Sequence, residues 1–169
     1  MNFDLREFNS FPIDLSLESE ADPLEGAVEG VSFRDVVKMR INLQKVKEEY
    51  YCHGLVSAQI EVECSRCLEM FKTELATEME CVIKTGEGKP VLSSGVMEEC
   101  IYLKQNEHVV DLTDVVRQAL TLALPLKPVC REECRGLCPN CGVNLNEEEC
   151  DCSEDEIDER WEGLRNLLE

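Results

Sequence analysis

Apolar and polar residues alternate with period two along most of the first half of the chain, the mark of half-buried β-strands. Phe11, Ile13, Leu15 and Leu17 form a first run and Val37, Met39, Ile41 and Leu43 a second, with an acidic, glycine-containing loop expected over residues 18–30. In the third run Gly54, Val56, Ala58, Ile60, Val62 and Cys64 lie on one face, and Ser57, Gln59, Glu61 and Glu63 on the other. Alternation resumes in Phe71, Thr73, Leu75, Thr77, Met79, Cys81 and Ile83. Little more than Cys64-Ser65-Arg66-Cys67 parts these two runs, so the pattern predicts an antiparallel hairpin with this CxxC at its tip.

Residues 85–99 carry three glycines, a proline and two serines and read as a connection before a short strand at residues 100–103. The period then changes to that of a helix. Asp111 is placed as its N-cap with Asp114 in the first turn; Val115, Val116, Ala119, Leu120 and Ala123 mark its apolar face, and Pro125 ends it. Such a helix is expected to cover the open face of the sheet. A second stripe at helical spacing, Ile157, Trp161, Leu164 and Leu168, predicts a short amphipathic helix at the end of the chain. The fold class is therefore α+β, an antiparallel, curved sheet with long hairpins and one covering helix. Residues 1–128 read as the core domain, 129–152 as a Cys-rich, zinc-ribbon-like appendage and 153–169 as an acidic helix.

The appendage holds the densest chemistry. Cys130, Cys134, Cys138, Cys141, Cys150 and Cys152 fall within 23 positions, while Val129, Leu137, Val143 and Leu145 are its only other bulky apolar residues. That is too little apolar surface for a core, whereas a structural zinc contributes roughly 10–16 kcal/mol in small peptides. Cys138-Pro139-Asn140-Cys141-Gly142 has the form of a zinc knuckle, in which a glycine tolerates the positive φ of the turn. Either Cys130 with Cys134 or Cys150 with Cys152 completes four ligands; the first pair is favoured. Four thiolates leave no open coordination position, so the metal is expected to be structural. An iron–sulfur cluster also takes four thiolates, but these spacings match neither common ferredoxin run.

For Cys64 and Cys67 the strand-like flanks favour a structural turn. A second or shared metal half-site, completed by the remaining C-terminal pair or another subunit, and a redox dithiol are the alternatives. Cys81 is assigned to the buried face of its strand and Cys52 and Cys100 to strand edges, all three as small core residues. His53 and His108 read as a turn and a surface histidine. No nucleotide-binding loop, nucleophile elbow or HExxH is present, so no catalytic residue is assigned and no small-molecule substrate is expected.

Composition narrows the partners. With 36 Asp+Glu against 17 Lys+Arg the formal charge is −19 over 169 residues, the opposite of a nucleic-acid-binding footprint. Lys38 and Arg40, on one face of their strand, are the candidate RNA contact, although a solvated strand face is the commoner use of such a pair. No apolar run approaches the roughly 20 residues that span a bilayer, and the first residues have neither a basic nor an apolar leader region. A cytoplasmic protein is expected, and 11 cysteines in a reducing compartment point to metal before disulfides.

Several segments together resemble the YceD family, described as large ribosomal RNA subunit accumulation proteins and known also in plastids. They are Cys64-Ser65-Arg66-Cys67-Leu68-Glu69, Leu122-Ala123-Leu124-Pro125-Leu126, the stretch from Cys134 to Gly142 with Asn144-Leu145-Asn146, and Arg160-Trp161 with Leu164. The resemblance implies a non-enzymatic role in accumulation or processing of large-subunit ribosomal RNA. Many members lack the C-terminal thiols while keeping the mid-chain CxxC, which implies that metal stabilises this branch without defining the activity. Given the charge, docking to a basic ribosomal protein or assembly factor is the expected mode of action, with ribosomal RNA a weaker direct partner. The competing classes are a thiol redox or iron–sulfur carrier and a general zinc-stabilised protein-interaction module.

Overall fold

The computed structural model describes residues 1–24, 26, 28–86, 100–104 and 106–152. Its centre is a five-stranded sheet in the order β2-β3-β4-β5-β6, formed by β2 (Ile13–Glu20), β3 (Val31–Val46), β4 (Glu49–Glu63), β5 (Met70–Thr85) and β6 (Cys100–Leu103). A two-stranded ribbon pairs β1 (Asn2–Asp4) with β7 (Val109–Asp111), and α1 (Thr113–Ala123) follows directly.

The alternation seen in the sequence is the alternation of burial. Along β3, Val37, Met39, Ile41 and Leu43 are buried between exposed neighbours, and β4 repeats the pattern with Cys52, Val56, Ala58 and Ile60. Each fully buried side chain of this size contributes about 1.5–3 kcal/mol, and a slip of one residue would turn the whole set outward. The register is accordingly exact from Glu49 opposite Lys84 to Glu63 opposite Met70. Between β3 and β4 it breaks once, at a bulge from Arg34 to Lys38 where Asp35 takes φ 58°. Helix α1 lays Val115, Val116 and Leu120 against β5, with Leu24 of a short 3-10 turn buried beside it.

Several expectations change in detail. The sheet is mixed, because β6 pairs parallel to β5; residues 86–99 are long enough for the crossover that a parallel neighbour requires. The acidic stretch after Leu17 stays in β2 as far as Glu20. Because β4 begins at Glu49, Cys52 lies within the strand and directly opposite Cys81, and His53 is a strand residue 3.4 Å from Glu80 rather than part of a turn. Helix α1 starts after Leu112, which has no side-chain cap; Asp111 accepts from the Thr113 backbone N–H at 2.9 Å and hydroxyl at 2.6 Å instead. The short β1–β7 ribbon has no periodic signal, each strand being three residues long. The predicted C-terminal amphipathic helix lies outside the described residues. No helix among the described residues is long and apolar enough to cross a membrane.

Candidate metal centres

The β4–β5 hairpin turns through Cys64-Ser65-Arg66-Cys67, as the two flanking alternations predict. Leu68 takes φ 60°, and the Cys64 amide bonds the Glu69 carbonyl while the Leu68 amide bonds the Cys64 carbonyl. This closes a tight turn with both sulfurs on one side. The tail after α1 comes back to this turn: the Ser65 amide and hydroxyl both donate to the Pro128 carbonyl, at 2.8 and 2.6 Å. The Leu137 amide donates to the Arg66 carbonyl, and the Asn144 amide group to Glu69 at 3.0 Å.

Docking of the tail on the hairpin brings Cys64, Cys67, Cys130 and Cys134 together, all four sulfurs within 4.8 Å of one another. Sulfur pairs Cys64–Cys134 and Cys67–Cys130 are 3.9 and 3.8 Å apart. A tetrahedral ion with metal–sulfur bonds of about 2.3 Å places its ligands about 3.8 Å apart, so the quartet has the dimensions of one coordination shell. The sulfurs are far beyond disulfide length. Cys64, Cys67 and Cys134 are buried. Farther along, Cys138, Cys141, Cys150 and Cys152 form a second group with all four sulfurs within 4.8 Å. Here Cys141 is exposed and Cys150 and Cys152 half-buried. We call the two groups the inner and outer quartets.

The quartet favoured from sequence, Cys130, Cys134, Cys138 and Cys141, is thus divided. Cys130 and Cys134 join the hairpin pair, and the knuckle joins Cys150 and Cys152. Local spacing could not decide this, because the partner pair of Cys130 and Cys134 lies more than sixty residues away and reaches them only through strand pairing. The hairpin tip was legible, and eight clustered thiols make two sets of four; those two facts together carried the available signal. Lys38 and Arg40 project from the exposed face of β3, far from this chemistry in the chain, with Glu18 directly opposite Lys38.

Several groups hold the sulfurs in place. Backbone amides of Arg66 and Cys130 lie 3.5 and 3.4 Å from the Cys64 sulfur. Burial raises the Cys64 thiol, but these amides and that of Cys67 outweigh it and bring it down to about 6. Burial and the sulfurs of Cys134, Cys64 and Cys67 push Cys130 up to about 12. In the outer quartet the amides of Cys141 and Asn140 lower Cys138 to about 6, while the Cys141 sulfur, burial and the Cys138 sulfur raise Cys152 to about 12. Each quartet therefore offers a ready thiolate beside thiols whose ionisation it opposes, and a divalent cation reverses that opposition.

Asn146, quoted above only as part of a motif, proves central. It donates to the Cys134 sulfur at 3.4 Å and accepts from the Arg131 guanidinium at 2.8 Å and the Arg135 amide at 2.9 Å. Since it sits in the loop between Cys141 and Cys150, it ties the outer quartet to the inner one. Arg66 donates to the carbonyls of Glu132 and Cys134, both at 3.0 Å. Two glycines are required here, Gly136 by close packing on Arg66 as well as its backbone conformation, and Gly142 by its backbone conformation alone. Gly136 has φ 76°, and a Cβ there would lie 3.0 Å from the Arg66 carbonyl oxygen; Gly142 has φ 76° at the end of the knuckle.

Residues 52–168 match the family described as large ribosomal RNA subunit accumulation protein YceD, a span that contains the hairpin tip, α1 and all eight quartet cysteines. The chain belongs to the YceD family. Among curated relatives, an uncharacterized protein of Mycobacterium tuberculosis is 29% identical over 133 residues, covering 79% of this chain and 62% of its own length. An uncharacterized protein of Mycobacterium leprae is 28% identical, covering 78% of this chain and 59% of its own length. The chloroplastic large ribosomal RNA subunit accumulation protein YCED homolog 1 of Arabidopsis thaliana is 25% identical over 156 residues, covering 79% of this chain and 49% of its own length. The chain thus spans less than two thirds of the length of each of these relatives. No solved structure matches it.

Proposed function

We propose that this YceD-family chain supports accumulation of large-subunit ribosomal RNA by binding, as an assembly factor docked on a basic ribosomal protein or pre-ribosomal particle. The observation that carries the reading is the family match over residues 52–168, which includes the hairpin tip and the tail docked on it. The charge of −19 supports a basic protein partner over naked RNA. Glu18 on the neighbouring β2 lies directly opposite Lys38, and exposed Glu74, Glu78 and Glu80 stand on β5, two strands away from β3, so these two basic residues are assigned at most a secondary contact with RNA. Leu122 and Leu126, 85% and 102% exposed where α1 passes into the tail, offer the partner an apolar contact.

In this reading the two quartets hold structural zinc. All-sulfur tetrahedral donor sets select soft ions, zinc first in a reducing compartment, and saturate the coordination sphere. The tail then serves as a rigid part of the docking surface. The test is the ratio of mature large- to small-subunit ribosomal RNA after depletion of the protein, with a complemented control. A selective fall in the large-subunit RNA is expected; an unchanged ratio overturns the assembly role.

A further inference from the structure

The two quartets share a ligand type but differ in how they are built. The inner one draws its sulfurs from two segments joined only through the fold: Cys64 and Cys67 from a hairpin whose strands are held by an extended antiparallel ladder, and Cys130 and Cys134 from the tail. Three of its four cysteines are buried, and Phe71 and Val129 pack against them. Its sulfurs receive N–H groups from Arg66, Cys130 and Asn146. Half of its shell is therefore fixed before the ion arrives. The outer quartet lies entirely within residues 138–152. That segment is held by short local backbone bonds, such as Cys138 to Val143, Gly142 to Cys138 and Glu147 and Glu148 to Asn144, and by the side chains of Asn144 and Asn146, but none of its four cysteines lies on a strand. Its Cys141 is exposed.

These differences set the two metal affinities apart. Where a site must be organised by its own ion, the cost of ordering the chain is taken from the binding free energy. Backbone N–H groups reach a sulfur in each quartet, so the difference lies in the hairpin that fixes Cys64 and Cys67 and in the burial of three of the four inner thiols; supporting structure around the ligands is worth roughly 10–100-fold in affinity. Access follows the same order, since a competing chelator or an alkylating reagent reaches an exposed sulfur before buried ones.

We propose that the chain carries two soft-metal centres of unequal hold: a resident inner ion that clasps the tail to the β4–β5 hairpin, and an exchangeable outer ion that makes the fold of residues 138–152 respond to zinc supply. The inference rests on the reading of both quartets as metal sites. When the outer ion passes to a competing ligand, its thiolates take up protons from water, and the segment loses its interior. The hairpin contacts at Pro128, Leu137 and Cys134 stay, because the inner ion holds them.

The experiment uses the full chain purified with zinc. Native mass spectrometry counts the ions, and a chromogenic chelator in excess then times their release. In parallel, N-ethylmaleimide labelling with peptide mapping shows which thiols open. Two ions are expected, one leaving at least about tenfold faster than the other, with Cys138, Cys141, Cys150 and Cys152 labelled while Cys64, Cys67, Cys130 and Cys134 are protected. Release of both ions at one rate, or labelling of Cys64 and Cys67 first, overturns the unequal hold while leaving two metal sites standing. A chain that binds no ion overturns the metal reading itself. The variant Cys138→Ser with Cys141→Ser is expected to keep one slowly released ion; loss of both ions also overturns the proposal.

Discussion

Residues 31–83 and residues 129–152 differ in what fills their interiors. In β3, β4 and β5 alternate side chains turn inward, and Val37, Met39, Ile41, Leu43, Val56, Ile60 and Ile83 are buried together on one face. In the tail the buried side chains are sulfurs, Cys134 and Cys138, with Leu137 and Leu145 only half-buried. The sheet is stabilised by area removed from water, spread over many residues and tolerant of any single loss. The tail gathers its sulfurs at two points of four, and in the proposed reading it depends on the ions held there and on the hydrogen bonds that aim the sulfurs. A distributed interior weakens gradually, whereas a point interior fails at once.

Removing half of the inner quartet should separate the two regions most sharply. In Cys64→Ser with Cys67→Ser the proposed inner ion would keep only the tail's two sulfurs, and a structural zinc stands for roughly 10–16 kcal/mol of local order. Amide exchange between Val129 and Leu137 is expected to lose essentially all protection, while the β3–β5 amides keep theirs. Protection retained in the tail would mean that backbone contacts alone hold it on the hairpin, and the contrast drawn above would fail.

The same contrast explains what could be read in advance. Periodicity is a local signal with a long-range consequence, so β3, β4, β5, α1 and even the CxxC hairpin tip were legible from alternation alone. The register from Glu49 to Glu63 follows from keeping one face buried. Metal pairing has no period. Cys130 looks the same in sequence whether it faces Cys64 or Cys138, and only the path of the tail past Ser65 and Arg66 settles it. The strand at Cys100–Leu103 was legible as well, but its parallel direction escaped, since direction depends on the connection and not on the four residues of the strand.

A smaller effect is expected from Arg66, which touches the tail without binding the ion. Arg66→Met keeps the stem and removes the donors to the Glu132 and Cys134 carbonyls. Those bonds are partly solvent-exposed, so the cost is about 1–2 kcal/mol, or roughly 5–30-fold faster exchange of amides between Cys130 and Leu137. The metal content should stay unchanged. If exchange is unaffected, docking rests on the sulfurs alone; if an ion is lost, Arg66 contributes to the centre more directly than its contacts imply.

The smallest effect probes the other region through its helix. Asp111 accepts from the Thr113 hydroxyl and then from the Thr113 amide, and these bonds hold its carboxyl below the usual 3.8. Because the folded pKa is depressed, the stabilisation is fully present above the unfolded value and is lost as pH falls through the folded one. Asp111→Ala is therefore expected to lower stability by about 1 kcal/mol near neutral pH, the usual worth of a helix-start carboxylate, with the gap from wild type closing below pH 3.8. Comparing the two proteins in urea across that range cancels whatever acid does to the thiol centres, since both share them. A gap that stayed constant with pH would assign the loss to packing at the β7–α1 junction. A gap that closes assigns it to the charge of a single carboxylate at the start of α1, whose loss, like that of the Arg66 donors, weakens its region without unfolding it.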